Sequence, residues 1–160
     1  MTVPAWLPEL VLFNDHNGHW EIYLEVLYRH FSNDFIVAIP NFNGRRIALK
    51  KHPEYQGKEA TFWHLISSGN EEEERLPDLR RCERIRWPRS LIDNHPNNDV
   101  LVWSEPRYNE QRIHLWVVHE DYVLVLADRK EYVLLWTAFY VEREHYRQKL
   151  RKRFAAAQKG

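Results

Sequence analysis

The sequence predicts an α+β fold: an antiparallel or mixed sheet packed by an N-terminal helix, with a basic helix at the C-terminus. Three observations predict it. Apolar residues between Asn14 and Phe31 recur every three and four positions. After residue 100, four segments rich in Val, Ile, Leu, Trp and Tyr follow one another across short gaps. The last segment combines an apolar four-residue repeat with a basic run. At 160 residues and 44% hydrophobic composition the chain suits a single domain over residues 1–160.

In chain order, Trp20, Tyr23, Leu24, Leu27, Tyr28 and Phe31 form one helical stripe, with Asn14, Asp15 or Asn17 placed to cap its start. "DFIVAIP" and "RRIALKK" read as two strands around "NFNG", where Asn43-Gly44 supplies the positive φ angles of a tight hairpin. "HPEYQG" is a loop by its Pro and Gly. "KEATFWHLISSG" suits a short helix or an extended segment. "NEEEERLPD" reads as a solvated linker or a flexible loop, and "DLRRCERIRW" as a strand. Pro88 fits the first turn of a short helix, "PRSLIDN". "VLVWSE", "RIHLWVVHE", "YVLVLADRK" and "YVLLWTAFYV" then predict an antiparallel meander, because short connections join antiparallel neighbours. A final helix runs from about Glu142 to about Ala157, with Tyr146, Leu150 and Phe154 four apart.

The 23 basic and 23 acidic residues cancel, so the field of the whole molecule does not steer polyanions; a nucleic-acid site must be a local patch. The charges are uneven, with Glu71–Glu74 acidic, Arg80–Arg89 rich in arginine and the C-terminal tail basic. A single cysteine, Cys82, forbids an internal disulfide and favours a reducing, cytoplasmic location. The N-terminus lacks the pattern of a signal peptide, and no apolar run nears the roughly 20 residues of a membrane span, so no membrane partner is expected.

Phosphate-loop, dinucleotide and nucleophile-elbow motifs are missing, and no Cys/His set has zinc spacing; neither metal nor cofactor is expected. The remaining chemistry suits RNA, which carries its own nucleophile, the 2′-hydroxyl. Cleavage needs a base, an acid and cations for the phosphorane charge. His64 and His52 are candidates for the first two roles. Lys51 (with Lys50 beside it) and Arg81 are candidates for the third, and Thr137 and Tyr140 supply hydroxyls. Arg80, Arg84, Arg86 and Trp103 are candidate RNA contacts, since unpaired bases stack on aromatic rings. Each has an ordinary reading too. His52 precedes a proline in a loop, His64 is flanked by Trp63 and Leu65, and Thr137 lies in an apolar strand.

"YVLVLADRKEYVLLWTAFYVEREHYRQKLRKRF", preceded by "RIRWPRSLIDN" and "RIHLWVVHEDYVLVL", resembles the phage-associated branch of the barnase–EndoU–colicin–RelE-like ribonuclease superfamily, over roughly residues 35–155. The resemblance implies a curved antiparallel sheet with the site on its concave face, and metal-independent endoribonuclease activity. It also implies a role as a toxin of phage, prophage or toxin–antitoxin origin, with a neutralising antitoxin or immunity protein as partner. Thr137 matches the family's last-strand hydroxyl, and His64 its upstream basic or histidine position, with Lys51 or His52 as the alternative. Phe139 stands before Tyr140 where the family pattern is Thr-Ala-Tyr. A non-catalytic nucleic-acid-binding or phage protein-interaction module on the same scaffold is the alternative function.

Overall fold

The computed structural model describes residues 3–69 and 74–159; Glu71–Glu73 of the expected acidic linker lie outside the described residues. Asn43 and Gly44 turn the chain with φ of 50° and 80°, the pair of positive angles that a two-residue hairpin requires. They join β1 (Asn41–Phe42) to β2 (Arg45–Leu49). A small separate pair, β3 (Ser67–Ser68) and β4 (Leu76–Pro77), follows. The expected meander is present as β5 (Val100–Arg107), β6 (Glu110–Val117), β7 (Tyr122–Asp128) and β8 (Val133–Tyr140). These elements form a curved six-stranded sheet in the order β1-β2-β8-β7-β6-β5. The sheet is mixed, because β2 runs parallel to β8, pairing Ile47 with Val133 and Leu49 with Leu135. β5 extends through Pro106, which an edge strand tolerates.

Five α-helices are found among the described residues: α1 (Trp20–Ser32), α2 (Ala60–Ile66), α3 (Leu79–Glu83), α4 (Trp87–Asp93) and α5 (Glu144–Lys159). The alternation of strand side chains sends two sets of apolar groups to opposite faces. Ile113, Leu115, Leu124, Leu126, Val133 and Leu135 face one core, where Tyr23, Leu24, Leu27 and Phe31 of α1 meet them. Trp116, Val123 and Val125 face a second, smaller core with Trp103, Val141 and Leu150, against which Tyr146 and Phe154 of α5 pack. The four-residue repeat of α5 therefore buries its apolar stripe on the sheet and leaves Lys149, Arg151 and Lys152 exposed. No helix among the described residues is long and apolar enough to cross a membrane.

Two segments depart from the sequence reading. "DFIVAIP" is not a strand: the helical path continues from α1 into a π-helical turn, Asn33–Val37. Phe35 extends the stripe by one more four-residue step, packing 5.7 Å from Phe31. "DLRRCERIRW" is likewise helical rather than extended. Asp78 caps α3 by accepting from the backbone N–H groups of Arg80 and Arg81. Cys82 and Ile85, three apart, are buried apolar positions, and Arg84 between them is buried too; that helical spacing is masked by the alternation of arginines. The undecided "KEATFWHLISSG" is helical as α2.

One irregularity shapes the surface. In the β7–β8 ladder Val125 pairs with Thr137, but Leu126 pairs with Leu135. Trp136 is thus an extra residue, a β-bulge, and such bulges bend a strand and re-aim its side chains.

Candidate active site

β2 accompanies β8 only as far as Leu135. Beyond that point α2 takes over the edge of β8. Thr61 ties the two together: its Oγ1 accepts from the Lys50 backbone N–H at 2.7 Å and lies 3.4 Å from the Leu135 carbonyl, to which it donates. Where β2 and β8 part, a cleft of about 340 Å³ opens, lined by Lys50, His64, Gly69, Arg75, Arg81, Trp136 and Thr137. Among the described residues its lining holds three cationic side chains and no carboxylate.

The backbone around His64 is clamped. Thr137 donates its hydroxyl to the His64 carbonyl at 2.9 Å. Arg81 Nη1 and Arg75 Nη2 each lie 3.4 Å from the same oxygen and also donate to the Ser67 carbonyl. Arg75 further donates to Ser67 Oγ and to the Gly69 carbonyl, both at 2.9 Å. Gly69 sits at φ +136°, and a Cβ there would come within 3.1 Å of the Arg75 backbone; only glycine allows this approach. These guanidiniums therefore hold the C-terminal end of α2 while adding positive charge to the cleft. Burial pulls Arg81 below the usual guanidinium range, and Asp78, 3.6 Å away, counteracts that.

Trp136 forms a side of the cleft. The His64 ring meets it edge-on at 6.0 Å, Lys50 Nζ lies 5.6 Å from its ring centre, and the Arg112 guanidinium lies 4.2 Å from it. The indole supports two cations, each contact worth about 0.5–2 kcal/mol. Arg112 itself is buried and paired with Glu110 at 2.6 Å.

Of the residues singled out in the sequence, the fold brings His64, Arg81 and Thr137 together here. Lys51 and His52 are exposed in the loop after β2, outside this lining. Strand alternation explains the lysines: Lys50 has the parity of Ala48 and, one step past Leu135, comes level with Trp136, whereas Lys51 has the opposite parity. Tyr140 lies under two arginines, with Arg84 at 4.5 Å and Arg80 at 5.6 Å from its ring centre. Arg84 is buried, stacked also on Trp87, and donates to the Arg80 carbonyl. Arg80 is exposed, and Arg86 faces the end of α1, near enough to His30 and Asp34 to influence their protonation. Trp103 is not an available stacking surface. It is 3% exposed, stacks at 4.9 Å on His114, and donates Nε1–H to Glu105. Cys82 is buried and its thiol is pushed up to about 12, which makes it unreactive.

Sequence reasoning underweighted Lys50, Trp136 and Arg75. Which lysine faces the cleft is set by the distant pairing of β2 with β8, the bulge that exposes Trp136 has no sequence signal, and Arg75 follows a segment with no regular period.

Comparison with protein-family models, with curated proteins and with solved structures gives no match.

Proposed function

We propose that this protein is a metal-independent endoribonuclease, and that the cleft between β2 and β8 takes a phosphodiester of an RNA strand. One observation carries this reading: an imidazole and a lysine ammonium converge on a cationic cleft whose described lining contains no carboxylate. Such a lining favours a phosphate over a neutral ligand. His64 accepts the proton of the 2′-hydroxyl, whose oxygen attacks phosphorus. Lys50 and the charge of Arg81 and Arg75 stabilise the five-coordinate phosphorane. The 5′-oxygen leaves with a proton from the Lys50 ammonium, and the product strand ends in a 2′,3′-cyclic phosphate. Thr137 and Arg81 act as positioning residues, because their donors are engaged with the His64 and Ser67 carbonyls. Lys50 thus takes the roles that the sequence suggests for His52 and Lys51.

The same reading places the protein in the barnase–EndoU–colicin–RelE-like group, working in the cytoplasm, as a toxin held in check by an antitoxin or immunity protein. The curved sheet with a last-strand threonine supports that assignment. The test is incubation of purified protein with total RNA in EDTA, followed by analysis of the termini. New ends carrying 2′,3′-cyclic phosphate are expected. Retention of RNA without cleavage would instead favour a nucleic-acid-binding module, and neither cleavage nor retention a protein-interaction module.

A further inference from the structure

Trp136 and Thr137 line a second cleft as well as the first. On its far side it is lined by Arg107 and Tyr108 at the tip of the β5–β6 hairpin, Phe139 of β8, and Tyr146 and Arg153 of α5, and it encloses about 310 Å³. Most of its charge is already balanced. Arg153 pairs with Glu105 at 2.8 Å and Arg112 with Glu110. His114, which also faces this cleft, is kept neutral by burial, its ring pushed down to about 4. Arg107 differs: it is exposed and makes no ion pair with a described residue, its guanidinium lying 5.6 Å from the Tyr108 ring.

Tyr108 is unusual twice over. It is 85% exposed, the highest value among the large hydrophobic side chains, and it holds φ at +56°. A bulky residue is disfavoured in the left-handed region, where Gly, Asn or Asp is the common choice for a hairpin turn. A strained, exposed aromatic ring beside an unpaired cation is poorly explained by folding and well explained by binding.

We propose that this second cleft is a subsite for the nucleotide adjoining the phosphodiester held in the first, so that the substrate is single-stranded RNA lying across both. The inference rests on the functional reading above. A base stacks on Tyr108 against the apolar wall of Phe139 and Tyr146, and Arg107 meets its phosphate. The two clefts share Trp136 and Thr137 in their linings, which suits consecutive nucleotides. A duplex keeps its bases stacked inward and offers none to Tyr108.

The test uses a labelled eight-nucleotide single strand, 2′-O-methylated at every ribose so that internal attack is blocked, and reads binding by fluorescence anisotropy. Arg107→Ala and Tyr108→Gly should each weaken binding about tenfold, and Arg107→Ala should lower the salt slope by about one. Tyr108→Gly relieves the backbone at φ +56°, so it should not lower the melting temperature, which separates lost stacking from lost folding. Arg29→Ala, on exposed surface of α1, should bind like the wild type. Equal binding by wild type, Arg107→Ala and Tyr108→Gly, or no binding by the wild type, would overturn the subsite. Cleavage of an unmodified octamer, run in parallel, separates the two claims. Cleavage with unchanged binding by the variants sinks the subsite alone. Weakened binding by the variants without any cleavage by the wild type sinks the ribonuclease reading alone.

Discussion

The Thr137 hydroxyl donates to the backbone carbonyl of His64 across 2.9 Å, joining the bulged strand β8 to the C-terminal end of α2. The bond links residues 73 positions apart and fixes the imidazole relative to Trp136. Thr137→Val keeps the shape but removes one donor from that carbonyl, which Arg75 and Arg81 still approach at 3.4 Å, at a cost of about 0.5–1.5 kcal/mol. Chemical denaturation should register this loss, and cleavage should fall through kcat more than KM. Thr137→Ser, which keeps the donor, should restore both.

Lys50 and Lys51 separate a cleft residue from a neighbour. Lys50 lies beside Trp136, and Lys51 is exposed outside the lining. Lys50→Ala should lower kcat by about 10²-fold or more, the range for removing one group that stabilises developing charge. Lys51→Ala should change it by less than about twofold. Steady-state cleavage of one oligonucleotide by both variants checks this, and a larger effect at Lys51 would move the site.

His114 gives stability a pH dependence. Burial is the main cause of its depression from 6.5 to about 4, with Arg153 adding to it and Glu105 opposing it. Arg153 Nη2 donates to His114 Nε2 at 3.2 Å, which favours the neutral ring. Glu105 is 3.8 Å from the other nitrogen, but with a neutral ring that contact is no ion pair. The unfolded chain binds the proton more tightly, so stability is present above pH 6.5 and is lost as pH falls towards 4, by on the order of 3 kcal/mol. Denaturation at pH 7.5, 5.5 and 4.5 should show the decline, and His114→Gln should flatten it.

Asp34 acts in the opposite sense. Burial raises its carboxyl to about 6, in spite of Arg89 nearby; Arg89 Nη1 donates to the Asp34 backbone carbonyl. Here the folded state holds the proton more tightly, so ionisation destabilises the fold as pH rises from about 4 to about 6. Asp34→Asn should raise the melting temperature at pH 7.5 and leave it unchanged at pH 3.5.

How much of this was legible in the sequence varies by element. The β5–β8 meander, the Asn43-Gly44 hairpin and α5 follow from periodicity and turn chemistry, which act within a few residues. The helical identity of 79–83 was hidden because Arg80, Arg84 and Arg86 mimic the alternation of a half-exposed strand, whereas the Asp78 cap and the Cys82–Ile85 spacing were the true signals. Of the cleft's lining residues, His64, Arg81 and Thr137 stand out in the sequence, because histidine, arginine and an out-of-place hydroxyl are conspicuous by type. Lys50 was set aside for its neighbour, since which lysine turns inward depends on the parallel pairing of β2 with β8, a contact between segments more than 80 residues apart. Trp136 depended on a bulge that only the β7–β8 register reveals, and Trp103 became a wall because α5 closes over it.

Single-turnover cleavage of a defined single-stranded RNA in EDTA by wild type and His64→Ala, with binding of the 2′-O-methylated strand measured alongside, is the sharpest test of His64 as the base. His64→Ala is expected to cleave at least about 10²-fold more slowly while binding within about twofold of wild type. Undiminished cleavage by His64→Ala, or wild-type cleavage that stops with chelator, would contradict it.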